Sequence, residues 1–207
     1  MVFLKKYSIL LIFTVLLGNN LLFSQNKEQI DAFAKSYEYE QVRDFQKAIN
    51  ELKNIYDAKS YEINMRLAWL HYNAGLFSES TTYYRKSISL MPYSEEAYLG
   101  LIYPASAMGK WDIVINSYKK ILQNSPNNTS VNYKLGSIYY GKKKYTQAYK
   151  YFKVIIDLYP FSYDGLLMFA WTNYQLGKYQ EAKLLFTKVL LLSPNDASAL
   201  EGLSMIK

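Results

Sequence analysis

With 207 residues, 50% apolar content and 20% charged residues spread without long runs of one sign, the chain has enough material for a buried core and falls outside the disordered and low-complexity classes. It contains no cysteine, which excludes disulfides, thiolate chemistry and sulfur-rich zinc sites. A formal net charge of +7 favours an acidic partner only weakly and falls short of a nucleic-acid-binding signature.

The chain opens with Lys5 and Lys6, an apolar run over 7–17, the polar break Gly18-Asn19-Asn20 and a second apolar patch ending in Phe23-Ser24-Gln25. Residues 1–24 therefore read as a secretory signal peptide, because the run is shorter than the roughly 20 apolar residues a membrane span needs. Leu22 is larger than the small residue wanted two places before the cut, so the alternative is an uncleaved N-terminal anchor. Removal takes Lys5 and Lys6 away and leaves 22 basic against 17 acidic residues, a net +5. The expected location is exported, periplasmic or extracellular, with membrane contact confined to this segment if it is retained.

After the leader, Asp44, Phe45, Ala48, Leu52 and Ile55 outline a degenerate helical unit over 29–60, with no closing proline and a linker two residues shorter than those that follow. Beyond it, Pro92, Pro126, Pro160 and Pro194 recur every 34 residues. Gly75, Gly109 and Gly177 keep the same interval, with Lys143 breaking the row, and Phe77, Trp111, Tyr145 and Tyr179 follow them. Ser78, Asp112 and Thr146 sit where N-caps of second helices are expected. Each unit (61–94, 95–128, 129–162 and 163–196) is thus a helix, a tight turn and a second helix closed by proline. Residues 197–207 start one more helix, with Leu200, Leu203 and Ile206 placed to cap the stack.

This pattern resembles the tetratricopeptide repeat. The family's Trp, Leu-Gly, Tyr, Ala, Phe and Pro positions are met at Asn132, Leu135, Gly136, Tyr139, Ala148, Phe152 and Pro160, with Asn132 in place of the aromatic. The next unit offers Leu166, Phe169, Ala170, Asn173, Ala182, Phe186 and Pro194. The two earlier units are looser: Asn64, Leu67, Ala68, His71, Ser80, Tyr84 and Pro92, then Tyr98, Leu101, Ile102, Ala105, Val114, Tyr118 and Pro126. The resemblance implies an all-α, right-handed helical solenoid of tandem helix-turn-helix repeats. It further implies a protein or peptide partner held on the concave side, lined by first helices.

Nothing in the composition assembles a catalytic site. His71 is the lone histidine, which removes histidine metal clusters, and no phosphate-cradling glycine loop occurs. Carboxylates such as Glu79, Glu95, Glu96, Asp157, Asp164 and Glu181 fall mostly at helix starts and exposed positions, where they favour the helix dipole. The reading is a non-enzyme without cofactor or metal; an enzyme working with two carboxylates is the rival.

Trp69, Tyr103, Ser137 and Trp171 form one row at the repeat interval, Tyr72, Ser106, Tyr140 and Tyr174 a second, and Met65, Leu99, Tyr133 and Leu167 a third. Three- and four-residue separations put the rows on one helix face, the face that the resemblance assigns to the groove. Trp69, Tyr72, Tyr103, Tyr133, Tyr140, Trp171 and Tyr174 are therefore the expected partner-binding residues, since Trp and Tyr dominate binding hot spots. A second set, Lys53, Arg85, Lys119 and Lys153, is expected outside as a basic stripe. The stripe or the groove tryptophans would serve the alternative function, binding an envelope glycan or polyanion. Pro104 falls inside a first helix, four residues after Gly100, where it removes a donor and crowds the preceding turn. The leader reading has a direct check: intact-mass measurement of the exported protein should give a chain starting after about Ser24, and a full-length cytoplasmic chain would contradict it.

Overall fold

The computed structural model describes residues 27–206, and every regular element within them is an α-helix. The segment read as a signal peptide, 1–24, lies outside the described residues. In chain order the helices are α1 (27–41), α2 (Phe45–Asn54), α3 (Tyr61–Asn73), α4 (Phe77–Leu90), α5 (Glu95–Ala107), α6 (Trp111–Asn124), α7 (Thr129–Gly141), α8 (Tyr145–Leu158), α9 (Tyr163–Gln175), α10 (Tyr179–Leu192) and α11 (Ala197–Ser204). The fold class is the expected one, all-α and built of tandem helix-turn-helix repeats. The chain divides into two compact units, Met1–Trp111 and Asp112–Lys207. The division falls inside the 95–128 span.

In the first unit α3 packs on α2, α4 and α5, around Ile49, Leu52, Ile63, Leu67 and Leu70. In the second, α7 through α10 pack in succession and α11 covers α9 and α10, burying Leu135, Phe152, Leu166 and Phe186. Each such side chain contributes about 1.5–3 kcal/mol. Helix approach is close enough that glycine is required at two equivalent places. A Cβ on Gly100 would lie 2.2 Å from the Tyr84 ring, and one on Gly202 2.3 Å from the Phe186 ring.

Two local devices repeat along the chain. First helices are capped by Ser60, Ser94, Asn128, Ser162 and Asp196, whose side chains accept from the amides of Ile63, Ala97, Val131, Gly165 and Ala199. Second helices are not capped as expected. Ser78 and Thr146 lie within the first turns of α4 and α8, after Leu76 and Lys144, and neither start has a side-chain cap; Asp112 likewise sits in the first turn of α6. The reason is the turn before them. In the α3–α4 turn, Gly75 donates to the Tyr72 carbonyl at 3.0 Å and Leu76 to that of His71 at 2.8 Å, the paired bonds of a left-handed helix terminus. This turn brings the chain straight into the next helix.

The same bonds close the other four turns, at Arg43, Gly109, Lys143 and Gly177. All five residues have positive φ, 59° at Arg43 and 55° at Lys143 being the two without glycine. The substituted family positions also have their reasons. Asn64 and Asn132 are buried and donate to loop carbonyls, Asn64 to Ala58 and Ser60, Asn132 to Pro126 and Asn128. Ser80 is buried with its hydroxyl on the Ala68 carbonyl at 2.8 Å. Helix α5 continues through buried Pro104 to Ala107. Because a left-handed conformation costs a non-glycine residue about 1–2 kcal/mol, partly offset by glycine's greater freedom in the unfolded chain, Lys143→Gly should stabilise the protein by about 1 kcal/mol. Lys142→Gly, at a C-cap of negative φ, should not; urea denaturation of both variants checks this.

Candidate functional site

In the first unit the first-helix face is a ring cluster. Trp69 lies 5.9 Å from Tyr72 and 6.2 Å from Tyr103, and Tyr72 lies 5.5 Å from Tyr103. Helices α3 and α5 set this arrangement: each starts directly after a serine cap, Ser60 or Ser94, so Trp69 and Tyr103 leave their helices at equivalent turns. Trp69 is 37% and Tyr103 52% exposed, large values for aromatic rings. They border a cleft of about 830 Å³ that is also lined by Phe33, Tyr37 and Glu40 of α1 and by Met65.

Helix α1 supplies what the sequence reading missed. Phe33, Tyr37 and Glu40 stand 32 residues before Met65, Trp69 and Tyr72, because the first linker is two residues short. The shortened linker was legible; carrying the three rows back across it at the smaller offset would have found these residues. They bind to α3 through Arg66, which is 6% exposed. Its guanidinium pairs with the Glu40 carboxylate, donates from Nε to Ser36 Oγ at 3.1 Å and lies 3.7 Å over the Tyr37 ring. Trp69 Nε1 donates to the other Glu40 oxygen at 2.6 Å. The N–H edge of the indole is thereby tied to α1, with the Tyr103 ring set at 79° to the indole plane. Arg66 Nη2 is buried without a partner.

In the second unit the expected residues are more deeply engaged. Trp171 is half-buried, donates from Nε1 to Ser198 Oγ of α11 at 2.8 Å and lies 5.0 Å edge-on to the buried Phe186 ring. Tyr174 lies 5.7 Å from Trp171 and 5.4 Å from Tyr179. Tyr140 packs on Tyr145 at 5.4 Å and Tyr133 on Phe152 at 5.8 Å. Burial raises the phenol pKa of both Tyr133 and Tyr140 above the ordinary tyrosine value. Tyr133 is the member of the set that lines a separate hollow of about 800 Å³, together with Lys134, Leu158, Phe161 and Asp164.

Lys53, Arg85, Lys119 and Lys153 are all exposed. Lys153 is paired with Asp157 at 2.6 Å, while the neighbouring Lys86 is partly buried and donates to the Tyr56 hydroxyl at 2.8 Å. No group of three or more potential metal ligands occurs among the described residues. Nor is any helix there long and apolar enough to cross a membrane.

His71 is 3% exposed, with Nδ1–H on the Leu67 carbonyl at 2.7 Å and its ring 5.0 Å from Tyr83. Burial lowers its pKa below the usual histidine value. The unfolded chain therefore takes up this proton first as pH falls, and stability drops from about pH 7 downward. That loss should reach at most about 1.4 kcal/mol per pH unit and be absent in His71→Phe between pH 7 and about 5.5, as melting curves will show.

A family model described as anaphase-promoting complex, cyclosome, subunit 3 matches residues 107–189. Protein CTR9 homolog of Arabidopsis thaliana is 22% identical over 131 residues, 63% of this chain but 12% of that much longer protein. A tetratricopeptide repeat protein from Parabacteroides merdae superposes with a TM-score of 0.68 at 19% identity, covering 87% of this chain and 72% of that one. A MamA structure superposes at 0.67 and 19% identity, covering 83% and 95%. With the 34-residue register and its helix-turn-helix units, these likenesses show that the chain has the tetratricopeptide-repeat fold.

Proposed function

We propose that the chain is an exported protein-protein interaction scaffold or adaptor that holds a peptide or helix of a partner on its first-helix aromatic face, and that it binds rather than catalyses. One observation carries the reading: Trp69 and Tyr103 pack with Tyr72 and with each other yet are exposed along a cleft. Rings of this kind supply contact area at low entropic cost and are typical anchors of protein recognition. Export rests on the leader composition of residues 1–24, and with it the periplasmic or extracellular location.

The tetratricopeptide fold is a protein-interaction scaffold, and the absence of any acid-base pairing around His71, whose Nδ1–H is spent on a helix carbonyl, speaks for binding. The polyanion alternative draws on exposed Lys53, Arg85, Lys119 and Lys153. Against it, Lys153 is already paired with Asp157.

The test is a pull-down from the native cell envelope with the chain lacking residues 1–24, followed by titration of the recovered partner. Trp69→Ala should weaken binding by about 2 kcal/mol or more with little change in melting temperature. Trp171→Ala should instead cost about 2 kcal/mol or more in stability, because its ring contacts Phe186 and its N–H holds α11. Unchanged affinity in the folded Trp69→Ala variant would refute the groove reading.

A further inference from the structure

The cleft of the first unit has a chemical character that the aromatic rows alone do not convey. Besides Tyr61, Trp69 and Tyr103, its lining includes Glu62, Glu95 and Glu96. These carboxylates stand in the first turns of α3 and α5, where the helix dipole favours negative charge. Two are also steadied by hydroxyls: Glu62 accepts from Ser60 Oγ at 3.1 Å, and Glu96 from Tyr61 at 3.4 Å. Arg66 is the one basic residue in the lining. Its charge is spent on Glu40 within the same wall. Glu62 and Glu96 therefore give the lining more negative than positive charge in a chain whose overall charge is +7. The hollow of the second unit, with Lys134 facing Asp164 in its lining, shows no such imbalance.

A second observation is independent of the acids. Arg66 Nη2 is a buried donor without an acceptor. An unsatisfied donor on a charged group is costly, and such groups ordinarily find a partner. It sits in a side chain that lines the cleft, beneath the exposed ring of Tyr37. A peptide main chain entering beside Tyr37 brings the carbonyl oxygen this donor lacks.

From these features we infer that the first-unit cleft accepts an extended protein segment bearing lysine or arginine. The segment's cationic side chain lies among Glu62 and Glu96 and over the Tyr61 and Tyr103 rings. Cation-π attraction adds to charge pairing there. A main-chain carbonyl accepts from Arg66 Nη2. The inference rests on the groove reading above and gives it a partner chemistry. Because the protein as a whole is basic, long-range steering works against such a partner, and selection comes from the contacts inside the cleft.

The test uses three blocked peptides of one length, alike except that Lys, Gln or Glu fills every third position and Leu the position after it. Each is titrated against the chain lacking residues 1–24, with binding read by fluorescence anisotropy. The Lys peptide should bind about tenfold more tightly than the Gln peptide, and the Glu peptide more weakly still. In the Glu62→Gln, Glu96→Gln double variant, checked for unchanged helicity, the gap between Lys and Gln should close. In Trp69→Ala all three peptides should weaken. A Gln or Glu peptide that binds as well as the Lys peptide, or a Lys preference that survives the double variant, overturns the inference. If that happens while Trp69→Ala still weakens every peptide, the groove stands and its charge selectivity falls. Binding indifferent to Trp69 removes the groove itself.

Discussion

Everything in this protein hangs on a backbone requirement met five times: one residue between paired helices must take a left-handed conformation so that the next helix can fold back at once. Arg43, Gly75, Gly109, Lys143 and Gly177 meet it, and each turn is closed by the same two backbone bonds. Asp44 still caps α2 by accepting from the Lys47 amide, but the turn lets α4, α8 and α10 start without a side-chain cap, with Leu76, Lys144 and Lys178 at N-cap positions where capping residues are otherwise preferred. The first helices follow a looser connection and do carry caps, from Ser60 to Asp196 at a constant interval. One kind of junction is specified by backbone conformation and the other by side-chain chemistry.

That difference explains what could be read in advance. The proline and glycine rows were legible because they mark where helices must stop, and they led directly to paired helices. The cap row, two residues after each proline, was as regular but mixes Ser, Asn and Asp, so it does not stand out as a single letter repeated. The row that was noticed, at Ser78, Asp112 and Thr146, has capping chemistry two residues past the N-cap positions of α4 and α8. Asn64 and Asn132, which looked like losses from the family pattern, are substitutions of one solution for another. Where an aromatic would fill space, the amide satisfies loop carbonyls.

The candidate site was legible in its apolar half. Trp69, Tyr72 and Tyr103 share a face because their spacing dictates it. Its polar half depends on tertiary contact between α1 and α3. Glu40 and Arg66 are separated by 26 residues and meet across the contact between α1 and α3, so their pairing does not show in the 34-residue rows. A buried guanidinium is an unfavourable thing to place in a helical repeat unless it is paired. Here Glu40 pairs with it and also anchors Trp69, so one carboxylate positions the indole and neutralises the arginine.

Trp69 and Trp171 occupy the same position three repeats apart, and the comparison separates register from role. Both indoles donate their N–H to a side chain on another helix, Trp69 to Glu40 and Trp171 to Ser198. The partners differ in what they leave uncovered. Glu40 lies on the preceding first helix, so the bond draws the Trp69 edge back toward α1 and leaves the ring exposed near Tyr103 along the cleft. Ser198 lies on the following first helix, α11, so the corresponding bond draws the Trp171 edge forward to α11 while Phe186 packs against the ring. Repetition in sequence fixes which way a ring leaves its helix. Whether the ring is a contact surface or a piece of core is decided by the neighbouring helix that claims its one hydrogen bond.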